Sequence, residues 1–341
     1  MPTDGATDPT QARFLKSYEV RGTYKGEIQR PPAVTGVKDT IDIHCHADAG
    51  HQDPLALAKY ASQNGMGGIL YKSIAGDIGP TKSVRAVQEV LNRWCDEEGV
   101  RPIRCWAGYN IARTVKPPSV EATRKQLDHG AAAIWMPVFM SANTLHKVGV
   151  RRGVADPTAD RPNEKTPPLP WDQAVKIGHY LLDDHGKLKA DIRDIVRMAV
   201  DRGVALFFGH PSHPELFALA EEIDKLGYRR AVVDHPFSPF IDLTFDEMKQ
   251  VAKIGIYLNF TFDEISPLLG VDPFKMYQAI RHVGVEHVTL SSDAGLPLFP
   301  NSVECMRLMC TYMRAFGLSA EEVYRISVTN PAAVVGHRCA A

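Results

Sequence analysis

The sequence predicts a (β/α)8 barrel with an N-terminal extension and one long loop insertion after the fourth strand. Three observations carry this. From residue 41 onward, short apolar, β-branched runs alternate with longer amphipathic stretches, the pattern of βα units around a parallel sheet. Glycine recurs where an amphipathic stretch gives way to the next run. The chain has 341 residues, too many for a typical small domain and suited to one such barrel.

Eight strands follow from the runs: Ile41–His46, Gly68–Lys72, Ile103–Gly108, Ala132–Pro137, Ala205–Gly209, Ala231–Asp234, Ile256–Phe260 and Val288–Ser292. Helices are expected between them at Pro54–Asn64, Lys82–Glu97, Ser119–His129, Lys189–Arg202, Pro214–Leu226, Phe245–Ile254 and Pro273–Val283. Gly65, Gly130, Gly203 and Gly284 stand where a left-handed residue would turn a helix back toward the sheet. An open doubly wound sheet would share much of this pattern. Residues 1–40 are polar, carry Pro31 and Pro32 and lack periodicity, so they read as an extension that wraps the barrel or supports an oligomer contact. Residues 41–341 form the barrel. The segment from about 140 to 180, rich in proline, breaks the rhythm after the fourth strand and reads as a lid over the barrel mouth.

Composition narrows the partners. The net charge is −1 and 23% of residues are charged, so no overall field favours nucleic acid or an anionic membrane. No run approaches the length of a membrane span. Cys45, Cys95, Cys105, Cys305, Cys310 and Cys339 form no CxxC pair, as expected of reduced thiols in a cytoplasmic protein. The first residues show no basic stretch followed by an apolar run, so no signal peptide is expected. A small-molecule partner fits best.

Polar signals gather at one structural address, the C-terminal ends of strands, where barrel enzymes place their chemistry. Strand one ends Ile41-Asp42-Ile43-His44-Cys45-His46. Residues two apart on a strand point the same way, so His44 and His46 can both face the axis and offer half of a divalent metal site. Strand five ends in His210, strand six in Asp234-His235, and strand eight in Ser292-Asp293-Ala294-Gly295. Each signal has a plain alternative. An isolated histidine can be satisfied by loop carbonyls, and an aspartate before glycine can be a turn residue. Four such signals at strand ends leave coincidence a poor explanation. Alternation along the strand suggests that Asp234 faces away when His235 faces in.

This arrangement resembles the amidohydrolase superfamily, in which HxH follows strand one, His follows strands five and six, and Asp follows strand eight. The closing Thr329-Asn330-Pro331-Ala332-Ala333-Val334-Val335-Gly336 resembles the Asn-Pro-Ala segment near the end of these barrels. The resemblance spans about residues 41–336 and does not identify a substrate. It implies a metal held by His44, His46, His210 and Asp293, with His235 beside it, and a homo-oligomer. Binuclear members add a bridging carboxylated Lys or a Glu at the end of strand four. Here that strand ends Ile134-Trp135-Met136-Pro137, so one divalent ion is expected: zinc first, with Mn2+, Fe2+ or Co2+ open to the same donors.

The expected activity is hydrolysis of an amide, cyclic amide, lactone or ester, with the ion activating water. Asp293 would move the proton, and His235 or Lys72 would polarise the carbonyl. The alternative is a metal-dependent decarboxylase of aromatic or unsaturated acids, with Lys72 or Arg113 gripping the acid. A phosphoesterase of the other HxH-bearing barrel family ranks lower, because those enzymes end with an Asp-x-His pair and use more metals, whereas here Asp293 is followed by Ala294-Gly295. A catalytically silent barrel is the non-enzymatic reading. Lys72, ending strand two, has three readings: a carboxylated bridge, a cation for a substrate carboxylate or carbonyl, or a side chain reaching solvent. Arg113 and Asn259 are candidate substrate contacts. Asp48, His51, His146, Arg151, Arg152 and His213 are weaker candidates.

Overall fold

The computed structural model describes residues 36–47, 52–74, 79–112, 116–152, 160–161 and 164–337. Residues 1–35 of the N-terminal extension, Asp48, His51 and Arg113 therefore lie outside the described residues. Among the described residues, eight parallel strands follow chain order around a nearly closed barrel: β1 (Ile41–Ala47), β2 (Gly68–Ile74), β3 (Arg104–Asn110), β4 (Ala133–Trp135), β5 (Ala205–Phe208), β6 (Ala231–Asp234), β7 (Tyr257–Thr261) and β8 (Val288–Ser291). The expected strands recur within about two residues of these limits, the usual uncertainty of element ends. Among the described residues, no helix is long and apolar enough to cross a membrane.

Helices cover the outer face. Pro54–Gln63 starts on an Asp53 cap that accepts from the Ala56 amide, and His213–Lys225 starts on a Ser212/Glu215 capping box. Such caps satisfy amides that the first helical turn leaves without partners. Gly203 ends Ala190–Arg202 at φ 62°, the left-handed turn that glycine adopts without a Cβ penalty. Further helices, including Ser302–Phe316, lie beyond those read from periodicity.

Strand alternation sorts the core into two shells. Ile41, Ile43, Leu70, Trp135, Phe207 and Val232 pack inside the barrel with Ala332 and Val334 of the helix Asn330–Val335. Ile69, Tyr71, Ile134, Leu206, Phe208 and Val233 pack outward among the helices. The interior is filled by ring against glycine. A Cβ on Gly68 would lie 2.2 Å from the Trp106 ring, and one on Gly108 would lie 2.2 Å from the Trp135 ring. Trp135 in turn stacks on Phe207 at 4.2 Å. The barrel below the mouth is thus a packed core.

The seam between β8 and β1 closes differently from the other joints. Its backbone bonds run from Asp293 N to His44 O and from His46 N to Ala294 O, each 2.8 Å. The buried Asp42 carboxylate does the rest, accepting from Ser292 N and His44 N at 3.1 Å and from the Ser292 and Ser302 hydroxyls. One side chain therefore fastens β1 to β8 and to the helix Ser302–Phe316.

Candidate metal centre

A register shift in β1, between Asp42 and Cys45 against β2, re-aims the end of the strand. Bulges do this at barrel rims. Ile43 packs inside the barrel and His44 still reaches its axis, while Cys45 turns outward and His46 turns back in. The His44 and His46 rings stand 5.5 Å apart. Their Nε2 atoms converge on one oxygen: Asp293 Oδ1 lies 3.1 Å from His44 Nε2 and 3.0 Å from His46 Nε2. Donor atoms of His44, His46 and Asp293 all lie within 4.8 Å of one another. Asp293 reaches this position from a left-handed backbone, φ 47°, strained for a non-glycine residue. The Cβ that Gly295 lacks would fall 2.4 Å from that of His46, so the loop passes the site only as glycine.

His210 and His235 stand beside this cluster, their rings 5.1 Å apart. His210 lies outside the tight group that His44, His46 and Asp293 form, and its ring stacks on Phe240 at 4.1 Å. His235 follows β6 with φ 35°, and its ring lies over Gly209, where a Cβ would be 2.5 Å from Cε1. That left-handed turn brings in Asp234 and His235 together, which corrects the expectation that Asp234 faces away. Val232 points into the barrel, so alternation points Asp234 there too, and the turn after it swings His235 back over the mouth.

All four rings are held from behind. Nδ1 of His46 meets Ser73 Oγ at 2.7 Å, that of His210 meets Thr144 Oγ1 at 2.9 Å, and that of His235 meets Ser238 Oγ at 3.0 Å. Nδ1 of His44 lies 3.1 Å from Asp234 Oδ1 but off the line of a well-angled hydrogen bond, so an ion-pair contact holds it. Asp234 is itself anchored by Trp135 Nε1 and Asn259 Nδ2, each at 2.8 Å. Ser73, Thr144, Ser238 and Asp234 were not singled out as site residues. Only Asp234, adjacent to His235, carries a local signal, and carrying strand alternation through the left-handed turn at His235 points it the wrong way.

Asn259, expected at the substrate, is buried behind this relay. Its amide donates to Asp234, and its carbonyl accepts from Thr289 Oγ1 at 2.9 Å and from Ser291 Oγ. Lys72 is only 7% exposed, so its side chain does not reach solvent. Its Nζ lies 2.9 Å from His44 Nε2 and 6.0 Å from the centre of the Trp135 ring. The inward residue of β4 is Trp135, which supplies no bridging oxygen. The expected lid begins as a fixed support: buried Ser141 and Asn143 donate to the His210 carbonyl, and Thr144 holds its ring. His146 is turned to the Leu169 carbonyl within the insertion, and Arg152 pairs with Glu164 there. His213 pairs with Glu247 at the start of its helix, as a helix-opening residue would.

Electrostatics divide the site. Burial holds the His210 ring well below the usual histidine range, with the neighbouring His235 adding to the effect. It lowers His235 to about 4, so both are neutral at pH 7. Burial also disfavours a charged His44, but the carboxylates of Asp234 and Asp293 outweigh it and raise the ring to about 9. Burial pushes against ionised Asp293, yet His44 and His46 hold its carboxyl well below the usual range. The centre therefore stabilises positive charge where two imidazole nitrogens meet a carboxylate. Imidazoles held at Nδ1, with Nε2 atoms gathered on a carboxylate, are the donor set a divalent ion requires, and such an ion would take the place of the proton that the carboxylates favour on His44. The residues fit a metal.

Solved structures share the barrel. An amidohydrolase from Pseudomonas aeruginosa is 10% identical, with 88% of this chain and 97% of that one covered and a TM-score of 0.53. A TatD homologue from Escherichia coli K12 is 15% identical, covering 87% and 98%, with a TM-score of 0.51. N-acetyl-D-glucosamine-6-phosphate deacetylase from Mycobacterium smegmatis is 13% identical, covering 88% and 76%, with a TM-score of 0.50. At such identities the likeness is one of fold. No curated protein matches the chain. The match that reaches family level spans residues 39–259, well over half of the chain and the whole run from β1 into β7, and it places the protein in a family of unknown function, DUF6282.

Proposed function

We propose that the protein is a metal-dependent hydrolase of the amidohydrolase type. It holds one divalent ion, zinc first among the candidates, through His44, His46 and Asp293, with His210 as the fourth donor. It cleaves an amide, cyclic amide, lactone or ester bond of a small molecule. The observation that carries this is the convergence of two imidazole Nε2 atoms on Asp293 Oδ1 while both rings are held through Nδ1. The absence of an oxygen donor from β4 supports a single ion.

The ion would supply Lewis acidity, polarising a carbonyl and acidifying a water. The chain's own groups do the rest. Asp293 is ionised at neutral pH and 14% exposed, so it can accept a proton at the mouth and return it to the leaving group. His235 is neutral and fixed through Nδ1 by Ser238, which leaves Nε2 to hydrogen-bond a substrate oxygen or water. Trp135, Phe207 and Ile43 close the barrel below and keep bulk water out.

The test is metal uptake by chelator-stripped protein, followed by product analysis with amides, lactones and esters. One ion per chain in wild type, lost in His44→Ala, together with hydrolysed product, is the expected result. Failure to take up any divalent ion overturns the proposal. Carbon dioxide released from an aromatic or unsaturated acid, with no hydrolysis, replaces it with a decarboxylase on the same donors.

A further inference from the structure

We propose that Lys72 is the anion receptor of the site: it caps His44 Nε2 in the metal-free protein and, once a metal takes that nitrogen, holds a carboxylate of the substrate. The inference rests on the metal reading above and names the substrate class that reading leaves open, a small molecule with a carboxylate next to the scissile bond.

The geometry is a conflict over one nitrogen. Lys72 Nζ lies 2.9 Å from His44 Nε2, the nitrogen that also faces Asp293 Oδ1. A metal bound at that nitrogen would displace the ammonium from it. Lys72 must then find another partner, because an unpaired buried cation is strongly disfavoured. Among the described residues no carboxylate forms an ion pair with it. Both oxygens of Asp234 are engaged, Oδ1 by Asn259 and His44 and Oδ2 by Trp135. Asp293 Oδ1 belongs to the two histidines. Asp263, the other carboxyl toward the mouth, accepts from the Thr261 hydroxyl. Escape to solvent is blocked, since the side chain is 7% exposed and runs beside Trp135.

A divalent ion and an ammonium held this close repel each other, and an anion between them removes the repulsion from both. A carboxylate suits the place, being small, planar and able to offer one oxygen to each cation. The second reading of Lys72, as a carboxylated amine bridging metals, makes the opposite prediction: loss of the amine would then remove a ligand.

The experiment titrates Co2+ into metal-stripped wild type and Lys72→Met, and then adds benzoate to each loaded protein while the visible Co2+ spectrum is followed. Lys72→Met is expected to bind Co2+ about tenfold more tightly, because a competing cation is gone. Benzoate should perturb the wild-type spectrum and bind about tenfold more weakly to the variant. Circular dichroism checks the fold, and Lys72→Gln serves should the methionine variant not fold. Weaker Co2+ binding in the neutral variants assigns Lys72 as a ligand and overturns the proposal. Unchanged benzoate affinity overturns the anion role and leaves the metal reading standing. Wild type that takes up no Co2+ overturns both.

Discussion

The two halves of the barrel mouth are built from different chemistry. On the seam side, β1, β2, β6 and β8 bring charged side chains together: Asp42 under the joint, Asp234 behind His44, and Asp293 and Lys72 at its Nε2. On the insertion side, neutral Ser141, Asn143 and Thr144 reach mainly to backbone carbonyls and to the back of His210. Buried charge placed in pairs stabilises a cation and raises His44. Neutral donors position His210 while burial keeps it uncharged. In the proposed centre, one half supplies His44, His46 and Asp293, and the other fixes the ring of the fourth donor, His210.

Substitutions that break this contrast should differ in size. Asp293→Asn removes the carboxylate on which His44 and His46 converge, and turnover should fall by about 10³-fold while part of the metal binding survives. Steady-state kinetics together with metal content checks this, and unchanged turnover would exclude the proton-transfer role. Asp42→Ala strips the seam of an acceptor for several buried donors and should lower stability by about 3 kcal/mol in urea unfolding. A loss under about 1 kcal/mol would mean the seam does not depend on it.

The histidines predict a pH response of the metal-free protein. A native His235 at about 4, against about 6.5 in the unfolded chain, stays neutral where the unfolded ring is protonated. Its contribution is complete above the unfolded value and is lost as pH falls from about 6.5 through about 4. The low His210 acts in the same direction, and together they should remove about 3 kcal/mol or more. His44, raised to about 9, acts the other way, its contribution present below about 6.5 and lost as pH rises through about 9. Urea midpoints from pH 4 to 9 would show the acid-side loss, and a flat profile below pH 6.5 would contradict it.

Asp234→Asn leaves the shape of the relay and removes its charge, so metal affinity should fall about 10–100-fold. Competition with a chelating dye reads this directly. Thr144→Val, on the neutral side, removes no charge and should lower stability by about 1 kcal/mol while weakening metal binding less than Asp234→Asn does. Equal effects of these two on metal affinity would erase the distinction between the halves.

Much of this was legible in the chain. Alternating runs gave the strands, HxH gave two donors, and strand-end residues gave His210, His235 and Asp293. What escaped was everything that holds those donors. Ser73, Thr144 and Ser238 are common residue types with no periodicity, and their partners lie in space, as with Thr144 and His210. Asp234 was misassigned because strand alternation ends where the left-handed turn at His235 begins. Asn259 was placed at the correct strand end but belongs to the interior relay.

The sequence by itself determined the barrel and nominated the residues of the proposed metal centre, because strand period and donor chemistry are local properties. Tertiary structure decided the pairings: Asp234 behind His44, Thr144 behind His210, and Lys72 on the nitrogen that a metal would take. Those depend on a bulge in β1, on left-handed turns and on strands distant in sequence meeting around the barrel. No window along the chain contains them.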